Sequence, residues 1–349
     1  MADQLRLAII GTGHIANSHM RALARHAPAR VVTVYDVLGA VAEAFAQRWD
    51  IPDVAADLGE VMKRKDVDAV IVSTPPFAHL EPTVAALEAG KHVLCEKPFA
   101  LDPAEAERMT RTAARTGTYL AVCSARQRCT AAARRAHELS AAGELGEVYH
   151  VRSSQFRVRG RPGIDILKDT HWFIDSQRAG GGALLDIGVY QLDVLLWLLG
   201  NPKVTTVLCT TKMGIGPPAP APLVQDVEDH AVLMFTCANG ASGILEIAWS
   251  SNIAGADTIL VFGTKAGLRF GPLTFLQPGH LNPRRAVEER VLSVDDDSYE
   301  GFGTVTQQFV DAVLAGREPY TPARDALEVT RVMHAAYESA RKGQAVPVP

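Results

Sequence analysis

Cysteine is scarce and unpaired in this sequence: Cys95, Cys123, Cys129, Cys209 and Cys237 are odd in number, scattered, and form no CxxC pair. That excludes a disulfide framework and points to reduced core thiols. The eleven histidines show no HExxH or comparable ligand spacing, so no metal is expected. No apolar run approaches the roughly 18 to 20 residues that span a bilayer, and the first residues lack a basic stretch followed by a long apolar core. The expectation is therefore no membrane partner and a cytoplasmic protein. Concentrated positive charge is missing too. The net charge is −4, and the densest basic group, Arg152, Arg157, Arg159 and Arg161, suits a strand edge or a substrate pocket better than a nucleic-acid backbone. No internal repeat is evident. With 47% hydrophobic and 21% charged residues among 349, the chain is ordinary globular material with room for two cored domains.

What is present begins at once. Leu7 to Ile10 read as a strand buried on both faces, and the residues from His14 to Arg25 carry a helical pattern. Between them lies Gly11-Thr12-Gly13-His14-Ile15-Ala16. Gly11 permits the tight turn out of the strand, Gly13 lets backbone approach a pyrophosphate, and small Ala16 allows close helix–strand packing. The free N–H groups and positive dipole of the helix start face the anion. A second strand over 30–36 ends in Asp36, placed to accept hydrogen bonds from the adenosine ribose hydroxyls. A carboxylate there repels a 2′-phosphate, and no Lys or Arg follows before Arg48, so NAD is expected in preference to NADP.

Strands and helices then alternate. Helices are expected over 40–48, 58–65, 79–89 and 103–116, and strands over 68–74, 91–95 and 118–123, which implies parallel pairing with right-handed crossovers. Ligands of such sheets sit at the carboxyl ends of the strands. The Gly11 turn, Ser73-Thr74-Pro75-Pro76 and Glu96-Lys97-Pro98 should thus share one crevice. From about residue 126 the rhythm changes to a helix over 130–141, an alternating segment over 147–158, the cluster Gly180-Gly181-Gly182 and an apolar helix over 187–199. Strands over 203–212, 229–237, 241–250, 258–262 and 286–294 suggest an antiparallel sheet, with the proline-rich stretch 214–222 as a surface excursion. Two helices close the chain, over 305–315 and 324–342.

Lys97, at the carboxyl end of a central strand, supplies a cation where an alcohol oxygen must lose a proton. Asp186, Tyr190 and Asp193, at i, i+4 and i+7, fall on one face of a helix otherwise made of Ile, Val, Leu and Trp. That stripe is either a hydrogen-bonded core network or part of a site. Arg126, His171 and Trp172 lie in loops expected to face the nicotinamide. Trp172 can stack on a sugar and His171 can bond hydroxyls, and packing is the equal alternative for both.

Taken together, Gly11-Thr12-Gly13-His14-Ile15-Ala16, Ser73-Thr74-Pro75-Pro76 with His79, Glu96-Lys97-Pro98-Phe99, and the run from Gly180 to Asp193 resemble the glucose–fructose oxidoreductase/inositol dehydrogenase/rhizopine catabolism (Gfo/Idh/MocA) family along essentially the whole chain. The resemblance implies an α/β protein. An N-terminal Rossmann doubly wound parallel sheet (residues 1–125) would be joined to a C-terminal α+β domain with a large open, mainly antiparallel sheet (126–349) that often forms subunit contacts. It implies NAD(P)-dependent redox chemistry on sugars, cyclitols or related polyols. It also implies a cis bond before Pro98, and an aspartate at Asp186 contacting substrate or the nicotinamide ribose.

The cofactor-binding set is then Gly11, Thr12, Gly13, His14, Ile15, Asp36, Ser73, Thr74, Pro75, His79, Glu96 and Lys97. Glu96 suits the cofactor side or a salt bridge rather than the reaction. The family most often has histidine as general base where this chain has Tyr190. Tyrosine, with an unperturbed pKa of about 10, needs a neighbouring ammonium to act near neutrality, and Lys97 is the candidate. The catalytic set is Lys97, Asp186 and Tyr190, and the substrate set adds Arg126, His171 and Trp172. Two further readings share the fold, a non-catalytic dinucleotide-binding regulator and an NAD-dependent glycosidase. Retention of Lys97 and Asp186 argues against the regulator. A sheet with too few helices to cover both faces predicts a homodimer or homotetramer.

Overall fold

The computed structural model describes residues 4–26, 28–255, 257–279, 287–294 and 302–349. In chain order its first elements are β1 (Leu5–Ile10), α1 (His14–Leu23), β2 (Ala29–Tyr35), α2 (Gly39–Trp49), α3 (Leu58–Lys63), β3 (Ala69–Val72), α4 (Leu80–Glu88), β4 (His92–Cys95), α5 (Pro103–Thr116) and β5 (Leu120–Val122). There follow α6 (Ala131–Ala141), β6 (Val148–Phe156), α7 (Ser176–Ala179), a π-helical turn (Leu184–Gly188), α8 (Val189–Leu198), β7 (Val204–Lys212), β8 (His230–Cys237) and β9 (Ser242–Ala248). The last are β10 (Thr258–Gly263), β11 (Gly267–Arg269), β12 (Thr274–Pro278), β13 (Val287–Val291), α9 (Phe302–Leu314), α10 (Ala323–Lys342) and β14 (Val346–Pro347). The strand expected over 286–294 is β13; Ala286 lies outside the described residues. The helix expected over 79–89 starts earlier, as a 3-10 turn at Pro76–Ala78 before α4.

The chain divides into two compact units, Met1–Cys129 with Ser298–Thr330, and Thr130–Asp297 with Arg331–Pro349. In the first, five parallel strands lie in the order β2-β1-β3-β4-β5. Side chains alternate across a strand, so its apolar runs feed two cores. Ile10, Val70, Val72, Val93 and Val122 pack with Val61 of α3, Leu87 of α4 and Met109 of α5. Leu7, Ile9, Val34, Ile71 and Leu94 pack with Met20 of α1, Phe45 of α2 and Phe309 of α9. The sheet is doubly wound, and α9 returns to it 180 residues after the end of β5 to cover that second face. A buried ion pair, Arg128 to Asp325 at 2.6 Å, ties the segment after β5 to the start of α10.

The second unit is built on a sheet of nine described strands in the order β13-β12-β11-β10-β6-β9-β8-β7-β14. Its pairing is mainly antiparallel, as expected; among the described strands β6 and β9 alone run parallel, His150 opposite Ser242 through Phe156 opposite Ala248. The cause is the long excursion carrying α7 and α8 between β6 and the strands that follow, which lets β9 return in the same direction. All ten residues of α8 are buried, the polar Tyr190, Gln191 and Asp193 included. Inward-facing Ala231, Leu233 and Phe235 of β8 and Leu245 and Ile247 of β9 are fully buried, while Val232 and Met234 face outward. The segment Ser176–Leu198 holds an 18-residue window with a mean hydropathy of 1.3, apolar enough by length and composition alone for a membrane span. It is a core element, since 94% of its most apolar window is buried.

Candidate functional site

The first unit brings three loops together at the carboxyl ends of its strands, where the strand order reverses between β1 and β3. Gly11 leaves β1 with φ of +88°, and a Cβ there would lie 2.7 Å from Thr74 N, so only glycine fits against the second loop. Ser73 Oγ donates to Gly11 O at 2.6 Å. His79, fully buried, places Nε2 2.8 Å from Thr74 O and Nδ1 3.3 Å from Phe99 O. Burial pushes its pKa down. It therefore acts through the loops after β3 and β4 rather than at the surface of the crevice. Pro75 is half-buried beside Thr74.

Gly13 and His14 are exposed at the head of α1, with Ile15 half-buried, and no side chain caps that helix. A Cβ on Gly13 would meet no protein atom within 4 Å. Asp36 follows β2, and its Oδ2 accepts both Thr12 N at 2.8 Å and Thr12 Oγ1 at 3.1 Å, while Oδ1 accepts Leu38 N at 3.0 Å. The carboxylate after β2 is thus locked to the glycine turn. These residues fit a dinucleotide: open amides and a bare glycine for the pyrophosphate, a fixed carboxylate for the ribose diol.

Lys97 is half-buried, and the Lys97–Pro98 bond is cis. Beneath it lies a network that sequence reasoning did not foresee. Glu96 Oε1 lies 3.1 Å from His19 Nε2, Glu96 Oε2 accepts Lys97 N at 2.9 Å, and His19 Nδ1 lies 2.8 Å from Thr306 Oγ1 of α9. Burial pushes the Glu96 carboxyl up, but the hydrogen bond and charge of His19 and the Lys97 amide outweigh it and hold the group at about 2. The carboxylate is an acceptor only, so His19 donates to it. Glu96 thereby serves a salt bridge and the Lys97 backbone. With Cys123, these residues are a group of three potential metal donors among the described residues, their ligand atoms within 4.8 Å of one another. Burial pushes the Cys123 thiol well above its ordinary value. Arg126 is half-buried in the 3-10 stretch Cys123–Cys129.

The remaining candidates belong to the second unit. Asp186 sits in the π-helical turn, and Tyr190 and Asp193 sit in α8, all three buried. The regular i, i+4, i+7 face expected from sequence is interrupted, because the π turn is wider than an α turn; such turns are frequent at functional sites. Asp186 Oδ2 accepts the Trp249 indole N–H at 2.9 Å and lies 3.8 Å from Arg157 Nη1. Trp249 was not singled out by sequence, since an aromatic in an apolar strand reads as core, whereas Arg157 belongs to the basic group expected at a strand edge or a substrate pocket. His171 is exposed, with Nδ1 3.1 Å from Gly163 O. Trp172 is half-buried and stacks on Phe173, the ring centroids 3.8 Å apart.

Residues 5–124 match the model of the oxidoreductase family with an NAD-binding Rossmann fold, and residues 133–269 match the GFO/IDH/MocA C-terminal domain. The chain is 28% identical to the D-glucoside 3-dehydrogenase of Escherichia coli (strain K12), over 99% of this chain and 98% of the relative. It is 26% identical to the scyllo-inositol 2-dehydrogenase (NAD(+)) of Bacillus subtilis (strain 168), over 99% and 97%. The crystal structure of GenD2 from gentamicin A biosynthesis, in complex with NAD, superposes with a TM-score of 0.79 at 28% identity, covering 100% of this chain and 97% of that one. With its glycine turn, its anchored Asp36 and both family domains in order, the chain belongs to the Gfo/Idh/MocA family of NAD-binding oxidoreductases.

Proposed function

We propose that the protein is an NAD-dependent dehydrogenase/reductase acting on a carbinol or keto carbon of a sugar, cyclitol or related polyol. The observation that carries this reading is Asp186, a buried carboxylate held beside the Trp249 indole and the Arg157 guanidinium, four residues before Tyr190. A fixed anion of this kind accepts a hydrogen bond from an alcohol and orients it. Gly11, Thr12, Gly13, His14, Ile15, Asp36, Ser73, Thr74 and Pro75 would hold NAD, which when bound supplies the hydride acceptor. His79 and Glu96 support those loops from beneath. Tyr190 takes the hydroxyl proton in the oxidative direction and returns it in the reductive one. Lys97 supplies the positive charge that favours the phenolate and the developing alkoxide. Arg126, His171 and Trp172 complete the substrate set.

The substrate names of the glucoside and inositol relatives support the polyol class. A panel of myo-inositol, scyllo-inositol, methyl β-D-glucoside and levoglucosan with NAD, and of keto derivatives with NADH, tests it by nicotinamide absorbance. Turnover of at least one polyol is expected, and none across a wide panel sinks the reading.

The same proposal includes a homodimer or homotetramer in the cytoplasm. Leu208, Met234, Ile244, Arg152 and Leu260 lie directly opposite one another across five strands and share the outward face of the second sheet. Leu208 and Met234 are 39% and 46% exposed, and apolar side chains left so open on a sheet favour association. All five cysteines are buried thiols, which suits a reducing compartment. Light scattering should report a dimer or tetramer; a monomer at all working concentrations counts against the assembly.

A further inference from the structure

Glu228, just before β8, is a buried acid that the reaction does not use. It is 4% exposed, yet its side chain and backbone collect three successive amides of another segment. Oε2 accepts Gly182 N at 2.9 Å, Oε1 accepts Leu184 N at 2.8 Å, and the Glu228 carbonyl accepts Ala183 N at 3.1 Å. Tyr337 of α10 donates its hydroxyl to Oε1 at 3.0 Å. A Cβ on Gly182 would overlap the Glu228 carbonyl, and one on Gly181 would overlap the Tyr337 hydroxyl, which accounts for the glycine cluster as space for this contact. Asp186 N, in turn, donates to Gly182 O at 2.9 Å.

The neighbouring residue extends the same hold. Asp229 O accepts Trp249 N at 2.8 Å, and the Trp249 indole donates to Asp186. Glu228 therefore caps the helical run that carries Asp186 and Tyr190 with a carboxylate supplied from the segment before β8, at the end where the unpaired N–H groups and the helix dipole favour an anion. Burial pushes the Glu228 carboxyl above its ordinary value even against these donors. Burying an acid in a core costs stability that an apolar residue would not, so its presence calls for a reason beyond packing.

We infer that Glu228 is a positioning residue: together with Tyr337 it fixes the start of the segment bearing Asp186 and Tyr190, and so sets where those side chains stand for the reaction. This rests on the reading of Asp186 and Tyr190 as reaction residues. Displacing reacting groups by about 1 Å costs on the order of 10²-fold in rate.

The test compares Glu228→Gln, which keeps the shape but can accept with only one oxygen, with Leu198→Ala, a cavity at the far end of α8. Turnover is read with NAD and whichever of myo-inositol, scyllo-inositol, methyl β-D-glucoside and levoglucosan the native enzyme oxidises fastest. Glu228→Gln should lower kcat by about 10²-fold with NAD affinity unchanged. Leu198→Ala, at an equal or larger loss of Tm, should keep kcat within about twofold, because it leaves the capped end alone. Amide hydrogen exchange should accelerate at 182–186 in Glu228→Gln while β8 and β9 stay protected. A Glu228→Gln enzyme with near-native kcat, or with native exchange at 182–186, overturns the inference, as does a kcat loss in Leu198→Ala that matches it. If none of the four sugars turns over, the exchange measurement alone decides. A Tyr190→Phe or Asp186→Ala enzyme with native turnover instead sinks the underlying reading and leaves the exchange result standing.

Discussion

Trp249 donates its indole N–H to Asp186 from a site with no solvent exposure, at 2.9 Å. A buried carboxylate that loses its donor pays a full desolvation cost or turns toward another partner. Trp249→Phe fills most of the volume and removes only the N–H. We expect kcat/KM on the working polyol to fall by about 10- to 100-fold, the factor for a buried hydrogen bond to a charge, with NAD binding intact. Unchanged kinetics would show that Asp186 needs no such support.

Tyr190→Phe should reduce kcat by roughly 10² to 10⁴, the range for a positioned acid–base group, with little change in NAD affinity. Lys97→Ala should also damage turnover and move the pH–rate profile upward, since the phenol loses a stabilising charge. Effects of the two together should fall far short of their product, because the residues serve one step. Near-native turnover in Tyr190→Phe would point to His171 or a water as proton acceptor.

Titration should show NAD binding more tightly than NADP. Asp36 is held by two bonds from Thr12, so it cannot swing away from a 2′-phosphate, and exposed Val37 offers no cation. Replacing Asp36 with Ser and Val37 with Arg should narrow the gap. Tighter NADP binding by the native protein would reverse this reading.

Acid stability should report Glu96. Its carboxyl is lowered in the folded state from an ordinary 4.5 to about 2. A depressed carboxylate contributes stability that is complete above its unfolded value and is lost as pH falls through the folded one. Thermal melts from pH 5 down to pH 2.5 should therefore decline more gently for Glu96→Gln than for the native protein. Parallel declines would mean that other carboxylates set the acid limb.

Much of this was legible in the sequence because it depends on local rules. The Gly11 turn, the carboxylate just after β2 and the helix Pro103–Thr116 follow from backbone freedom, spacing and capping. The parallel pairing of β6 with β9 was not legible, since alternation gives a strand its faces but not its direction. Nor was the π turn at Leu184–Gly188, which changes no composition. Trp249, His19 and Glu228 act through partners 63, 77 and 46 or 44 residues away, distances over which periodicity carries no signal.

The return of α9 to the first sheet also imposes an order on synthesis. A nascent chain that has reached β5 has every strand of that sheet but lacks Val305, Phe309 and Val310, which share a core with Leu7, Ile9, Met20 and Phe45. The ribosome must then make Thr130–Asp297, most of the second unit, before that cover exists. The unit whose strands are all translated first is thus left with one face open while most of the other unit is being made, and such exposed apolar surface is what makes folding intermediates prone to aggregate.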